Sequence, residues 1–299
     1  MKDHRILTAN EKTEQIVIHV VLIVFTLGAL LPFILMLASS LSSEQSIVTH
    51  GYNFWPREWS TYAYKYLFIT NGKTILHSYL ITMFITVFGT GLSLLITPMI
   101  AYALSRKDYK RAALVSFFVF FSIIFSGGVV PSYIMWTRLF NVKNTIWSLV
   151  FPNLLTNGFL IMIVKNFFTS NIHPAILEAA KIDGAGEWKI YYKIVMPLSL
   201  PILATVGLMI GLGYWNDWVN GLYYITNTNL YSLQVLLSSI LLNAQAMASM
   251  GGAATSAMTM PATTVRMAIA VIGVIPILAL YPFFQKYFVK GIVLGGVKE

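Results

Sequence analysis

The chain has 299 residues, of which 57% are hydrophobic and 10% charged, and 20 Lys and Arg against 11 Asp and Glu give a formal net charge of +9. An ordinary soluble domain is about a quarter charged, so the composition does not describe one, and the absence of cysteine excludes disulfides and thiolate metal sites. The positive charge does not point to nucleic acid either, because the basic residues are scattered at the borders of apolar stretches, with no stacked arginine–aromatic groove.

Six apolar stretches are long enough to cross about 30 Å of hydrocarbon as helices: Ile16 to Ala38, Ile75 to Ala103, Ala112 to Tyr133, Thr145 to Phe168, Leu198 to Ile225 and Val265 to Phe284. Lipid offers backbone groups no partner and strand alternation is absent, so each is expected to be helical. The expected fold class is an all-α membrane protein with six transmembrane helices: a cytoplasmic segment 1–15, a membrane domain 16–285 and a cytoplasmic tail 286–299. The first stretch is long, follows acidic as well as basic residues and has no clean small-residue cleavage site after it, so it reads as a lasting anchor. His19 within it reads as a proton relay or, more commonly, as a histidine bonded to a neighbouring helix.

Between Ser39 and Thr74, Tyr52, Trp55, Trp59, Tyr62, Tyr64 and Tyr66 fit an interfacial aromatic belt or a contact surface outside the membrane. Gly72-Lys73-Thr74 is the one fragment reminiscent of a phosphate loop, and Leu67 stands where that pattern needs its earlier glycine. No nucleotide site is therefore expected. The five histidines show no paired-ligand spacing and no Gly-x-Ser-x-Gly elbow occurs, so an enzyme is not expected either.

Residues 170–197 interrupt the apolar pattern with a polar helix, turn and helix. Asn171 or Ser170 is placed to cap a first helix with Pro174 in its opening turn. Ala179 and Ala180 keep one face low for another surface to approach, and Asp183-Gly184 stops the helix, glycine accepting a positive φ. A second amphipathic helix runs from about Glu187 to Val195 and ends before Pro197. The product is a bent elbow carrying an exposed carboxylate, Glu178.

In the fifth stretch Gly207, Gly211 and Gly213 permit close helix approach. Tyr214-Trp215-Asn216-Asp217-Trp218-Val219-Asn220 follows, with Tyr223 and Tyr224 beyond. At about 100° per residue, Asn216, Asn220, Tyr223 and Tyr224 share a helical face, with Trp215 and Trp218 on an adjoining one. Amides, a carboxylate and flat rings together suit a carbohydrate, which offers hydroxyls and apolar C–H faces. The same residues also suit the outer membrane interface, with Asp217, the sole acid within a span, in water. Beyond lies Thr226 to Thr264, whose apolar run Leu233 to Leu242 is too short to cross and reads as interfacial or re-entrant. Its Met247, Met250, Met258 and Met260 read as gap-fillers rather than a soft-metal site.

Loop charges set the orientation. With the N-terminus inside, fourteen of the twenty basic residues fall on the cytosolic side (Lys2, Arg5, Lys12, Arg106, Lys107, Lys110, Arg111, Lys165, Lys181, Lys189, Lys193, Lys286, Lys290 and Lys298), and six outside (Arg57, Lys65, Lys73, Arg138, Lys143 and Arg266). Both termini and the elbow are then cytoplasmic.

Glu178-Ala179-Ala180, three residues, Gly184, nine residues, Ile194, one residue and Met196-Pro197 resemble the EAA loop of permease subunits in binding-protein-dependent ABC importers, whose pattern ends in Leu-Pro where this chain has Met196-Pro197. Gly127-Gly128-Val129-Val130-Pro131, Asn144-Thr145-Ile146-Trp147, Tyr214-Trp215-Asn216-Asp217 and the tail from Tyr281 to Gly291 with Gly295-Gly296 are similar to the second, smaller permease of maltose-type carbohydrate importers, in particular its Gram-positive oligosaccharide and aldouronate branch. Phe54-Trp55-Pro56 resembles the same region of sugar permeases. The resemblance implies the type I importer permease architecture in a bacterial cell membrane. It implies that Glu178, Ala179, Ala180, Asp183 and Gly184 couple to a cytosolic ABC ATPase dimer, and that a short tail carrying Gly291, Gly295 and Gly296 reaches into that dimer. It further implies a second homologous permease subunit and an extracellular sugar-binding protein. Trp215, Asn216, Asp217, Trp218, Asn220, Tyr223 and Tyr224 would contribute to the path of the carbohydrate. No cofactor is expected in this chain, ATP and magnesium belonging to the ATPase. The rival readings are an ion-coupled secondary carrier, for which only His19 and Asp217 offer intramembrane ionisable groups, and a non-transporting membrane scaffold that docks an ATPase.

Overall fold

The computed structural model describes the backbone of residues 9–250 and 262–296, with the side chains of 14–69, 72–243, 246, 263–279 and 282. Among these residues the chain is helical, and extended backbone pairs only at an isolated bridge between Ser42 and Trp59. Contacts divide the chain into two compact units, residues 1–72 with 241–274 and residues 73–240 with 275–299.

Helix α1 (Ala9–Ser40) holds the first apolar stretch and leaves nearly all of it exposed within the chain, as a lipid-facing helix would, with only its end at Ala38 buried. His19 bonds its own helix, Nδ1 lying 2.6 Å from the Gln15 carbonyl oxygen, rather than a neighbouring one. Helix α2 (Glu44–His50) begins at Ser43, whose Oγ accepts from Ser46 N. Glu44 then reaches across the first unit: its carboxylate accepts from Thr263 N at 2.9 Å and from Thr264 N and Oγ1 at 2.8 and 2.7 Å. It thereby satisfies amides at the start of a helix some 220 residues on. Helix α3 (Tyr62–Ser105) contains the second stretch. Gly72-Lys73-Thr74 lies inside it, where amides serve the helix rather than a phosphate.

Beyond α3 the expected spans are bent. Helix α4 (Ala112–Ile124) stops before Gly127 and Gly128, the latter at φ +84, and α5 (Val129–Ile134), extended by a wide π turn over Met135–Leu139, leaves at 113°. The stretch from Thr145 opens not as a span but as a 3-10 turn, Ile146–Leu149. Asn153 then takes φ +60, and Asn157 starts α6 (Gly158–Asn171) by accepting from the amides of Phe159 and Leu160. Helix α7 (Pro174–Ile182) bends away by 76°. The limb of α8 (Glu187–Ile190), the π turn Tyr191–Val195 and α9 (Met196–Leu198) makes an 80° bend with α10 (Leu200–Trp215). That limb does not end before Pro197, because the i→i+5 turn ahead of it accommodates a residue with no N–H to donate. Helix α11 (Val219–Tyr224) is separate from α10, so the fifth stretch is broken at Asn216–Trp218.

Helix α12 (Leu233–Met250) occupies the segment read as interfacial or re-entrant. Its first turn is packed against the chain: Leu233, Val235, Leu236 and Leu237 are buried, and Leu233 N donates to Thr82 Oγ1 at 2.7 Å. Met258 and Met260 lie outside the described residues. Helix α13 (Ala262–Gly296) holds the sixth stretch and continues through Gly291, Gly295 and Gly296, so the backbone of that tail is helical. Straight helices long and apolar enough to span are Glu14–Ser40 and Gly72–Ser105, and three more candidates are the bent pairs just described.

The core of the second unit gathers α3, α6, α7, α8 and α10 around Leu104, Val164, Phe168, Ala180, Ile190, Val195, Val206 and Tyr214. Within it α3 and α10 approach closely at Gly89, where any Cβ would meet the ring of Tyr214, while Gly207 faces Leu94. Tyr214 is wholly buried and its hydroxyl donates to the Val150 carbonyl at 2.9 Å.

Candidate functional site

The elbow is built by local chemistry. His173, not Asn171 or Ser170, caps α7: its Nδ1 accepts from Ala175 N, and Pro174 follows at the first helical position. Asn171 belongs to the end of α6, where its Nδ2 donates to the Phe167 carbonyl. At the other end Gly184 sits at φ +74 and donates to the Lys181 carbonyl, while Ala185 N donates to the Ala180 carbonyl at 2.9 Å. This pair of bonds is the Schellman arrangement, which needs a residue without Cβ strain. The EAA residues then divide. Ala180 is buried in the chain's own core, whereas Glu178, Ala179, Asp183 and Gly184 are exposed and Ile182, at 86% exposure, projects furthest. Only Ala179 of the two alanines is open to an outside surface.

Four charged side chains fasten this elbow to the end of α3. Arg106 donates to Asp108 at 3.3 Å and to Glu187 at 3.4 Å, while Lys181 donates to Asp108 at 2.7 Å and pairs with Glu187 at 3.0 Å. Tyr102 adds a 2.6 Å bond from its hydroxyl to Glu187, and the Arg106 cation lies 5.7 Å from the centre of the Tyr102 ring. Arg106 is only 12% exposed, so its charge depends on these partners. Beside the clasp lies a pocket of about 220 Å³ lined by Tyr102, Arg106, Asp108, Phe168, Leu177, Glu178 and Lys181, among others. Glu178 takes part in none of the four ion pairs.

The hydrogen bond from Lys181 holds the Asp108 carboxyl below the usual carboxylate range. A carboxylate depressed by folding stabilises above its unfolded pKa, and that contribution is lost as pH falls through the lower folded value. Wild type is therefore expected to melt above Asp108→Asn at pH 7, with the gap closing below about pH 4. Because Lys181 and Asp108 are substantially exposed, Lys181→Ala is expected to cost less than Arg106→Ala, which is expected to cost about 2 kcal/mol. Thermal melts of the three variants check the order. In sequence these residues signalled only orientation and an amphipathic limb. Lys165, also counted as cytosolic, lies within α6 and donates to Ser116 on α4 at 3.0 Å.

The residues read as a sugar face do not form one face, because α10 ends at Trp215. Trp215, Asn220 and Tyr224 are buried; Asn216, Trp218 and Tyr223 are exposed; Asp217 lies between. Asn220 Nδ2 donates to the Pro152 carbonyl at 2.9 Å and its amide to Asp217 Oδ1 at 3.2 Å, which makes it a brace for the break. Tyr224 stacks on Tyr133, and its carbonyl accepts from Asn144 N. Asn144 Oδ1 in turn accepts from the amides of Thr226 and Asn227. Trp215 lies 6.3 Å from the Tyr79 ring. The open part of the motif is thus Asn216, Trp218 and Tyr223.

Residues 94–293, which include the elbow, the clasp and the broken fifth span, match the model of the binding-protein-dependent transport system inner membrane component. The chain belongs to this family: it is a transport permease of the cell membrane. Over 277 residues it is 36% identical to the polygalacturonan/rhamnogalacturonan transport system permease protein YtcP of Bacillus subtilis (strain 168), covering 93% of this chain and 95% of that one. It is also 36% identical to Protein LplC of the same organism over 269 residues, 90% of this chain and 89% of that one. Among solved structures it resembles a chain of a bacterial ABC transporter that imports the acidic polysaccharide alginate, with a TM-score of 0.77, 30% identity and coverage of 95% of this chain and 99% of that chain.

Proposed function

We propose that this chain is one of two permease subunits of an ATP-driven importer of oligosaccharides, and that its elbow carries motion between a cytosolic ATPase dimer and the membrane helices. The observation that carries the reading is the elbow itself: an exposed carboxylate and a glycine-ended helix, fixed by an ion-pair clasp to the end of a spanning helix. In this reading ATP closes the ATPase dimer, the dimer draws Glu178 and Gly184 with it, and the clasp passes the displacement to α3 as a rigid-body movement. Docking must differ between the nucleotide states, since a contact of equal strength in both would shift nothing. ATP and magnesium are held by the ATPase, and an extracellular binding protein delivers the sugar to a path completed by the second permease.

The substrate class rests on the relatives: one is named for polygalacturonan and rhamnogalacturonan, and the structural neighbour imports alginate. Fragments of uronic-acid polysaccharides are therefore the first ligands to try. Within this chain Asn216, Trp218 and Tyr223 offer an amide and two rings to such a ligand. The test is uptake of labelled oligosaccharide by proteoliposomes holding both permeases and the ATPase. Uptake is expected to need both ATP and binding protein; uptake by this chain alone, without ATP, would contradict the reading.

A further inference from the structure

The second limb of the elbow carries a surface that the clasp does not use. The limb Glu187–Leu198 makes an 80° bend with α10, so when α10 crosses the bilayer the limb lies along the membrane surface. One side is spent on the core, where Ile190, Tyr191 and Val195 are buried. Another side presents Trp188 and Tyr192, one turn apart, 63% and 52% exposed, their rings stacked at 6.0 Å. The adjacent row is Lys189 and Lys193, both exposed, and none of the four ion pairs of the clasp uses either. Exposed Leu198 and Leu200 carry the apolar surface on into the lipid-crossing helix. Between this limb and α3 opens a pocket of about 210 Å³, lined by Met99, Tyr102, Ala103, Glu187, Trp188 and Tyr191.

We propose that this limb is an in-plane anchor that binds anionic phospholipid of the cytoplasmic leaflet. Rings that are apolar in body and polar at the tip settle at the headgroup level. A helix lying flat, with aromatic residues beside lysines, has the form that binds anionic bilayer surfaces. Lys189 and Lys193 meet the lipid phosphates, and the pocket beside Trp188 receives the upper part of an acyl chain. Continuity with exposed Leu198 and Leu200, at the entry to the membrane-crossing α10, selects a lipid over a protein as the occupant. Glu187, at the head of the limb, is the carboxylate that Arg106 and Lys181 both hold, so the anchor is tied to the EAA limb of the elbow. The inference rests on the cytoplasmic placement of residues 170–197 proposed above.

Because the chain has no cysteine, Tyr192→Cys carrying a nitroxide gives a single reporter when the assembled transporter, its other subunits freed of cysteine, is placed in nanodiscs containing phosphatidylglycerol. The expected signal is greater collision with oxygen than with a water-soluble nickel chelate, at headgroup depth, with the ATPase present or absent. Greater access to nickel, or protection that appears only with the ATPase bound, would overturn the proposal, the latter in favour of a protein contact. A second measurement compares phosphatidylglycerol retained by the purified complex and by its Lys189→Gln/Lys193→Gln variant. Retention is expected to fall about fivefold per lysine removed with ATPase binding kept, and equal retention or loss of ATPase binding would overturn it. Failure of the cytoplasmic placement is read separately, by labelling Ala179→Cys with an impermeant reagent from outside, which leaves the depth measurement interpretable.

Discussion

Gly184→Leu and Glu178→Ala are each expected to cut uptake at least tenfold while leaving the membrane fold intact. At Gly184 the reason is conformational. The residue sits at φ +74 with nothing within 4 Å of where a Cβ would be, so leucine meets no clash but must adopt a left-handed backbone that costs about 1–2 kcal/mol. The relief available to the chain is to reshape the turn, which moves Ile182, Asp183 and Glu178 off their positions. Gly184→Asn, whose short polar side chain tolerates that backbone, is expected to retain much more uptake than leucine. At Glu178 the reason is interfacial. The carboxylate is exposed and outside the clasp, so its removal is expected to change stability by less than about 0.5 kcal/mol. A charge-assisted bond to a partner is worth about 1.5–3 kcal/mol, so association with the ATPase is expected to weaken about ten- to a hundredfold. Paired measurements of uptake and ATPase co-purification check both variants; normal uptake by both would remove the elbow from the mechanism.

Gly89→Val is expected to produce the largest loss of stability of any single change considered, about 3 kcal/mol. A side chain there meets the ring of Tyr214, and Tyr214 cannot retreat, because it is wholly buried and its hydroxyl is held by the Val150 carbonyl. Displacing the ring would also strand that carbonyl. Gly91, two residues on, has open space where its Cβ would be, so Gly91→Val is the control and is expected to melt close to wild type. Tyr214→Phe, which removes only the hydrogen bond, is expected to cost about 1 kcal/mol. Melting temperatures of the purified chain in one detergent separate the three, and equal melting of the two glycine variants would refute the packing argument.

What was legible in the sequence was what local chemistry decides. Gly184 was readable as a left-handed cap because few other residues take that conformation, and the apolar stretches marked most of the helices. Hydropathy says nothing of bends, so the breaks at Gly128, Asn153 and Asn157 were hidden inside runs that read as continuous spans, although the turn residues themselves were visible. The single helical face is lost for the same reason: the arithmetic of 100° per residue assumes one helix from Asn216 to Tyr224, and the chain breaks between them. Asn220 is one of the amides that suit a sugar, while its partner within the chain, the Pro152 carbonyl, is 68 residues away in sequence. The clasp was not legible at all, since it joins Asp108 to Lys181 across 73 residues. Nor was the Gly89–Tyr214 contact, which joins positions on different helices far apart in sequence.

The most direct test of the central claim is a cross-link from Ala179→Cys, an exposed position in a chain without cysteine, in the intact transport-active complex. The expected result is a covalent product with the ATPase subunit whose yield differs between the nucleotide-free and ATP-bound states. A cysteine that labels from the extracytoplasmic side, or that never joins the ATPase in a complex still importing sugar, would contradict it.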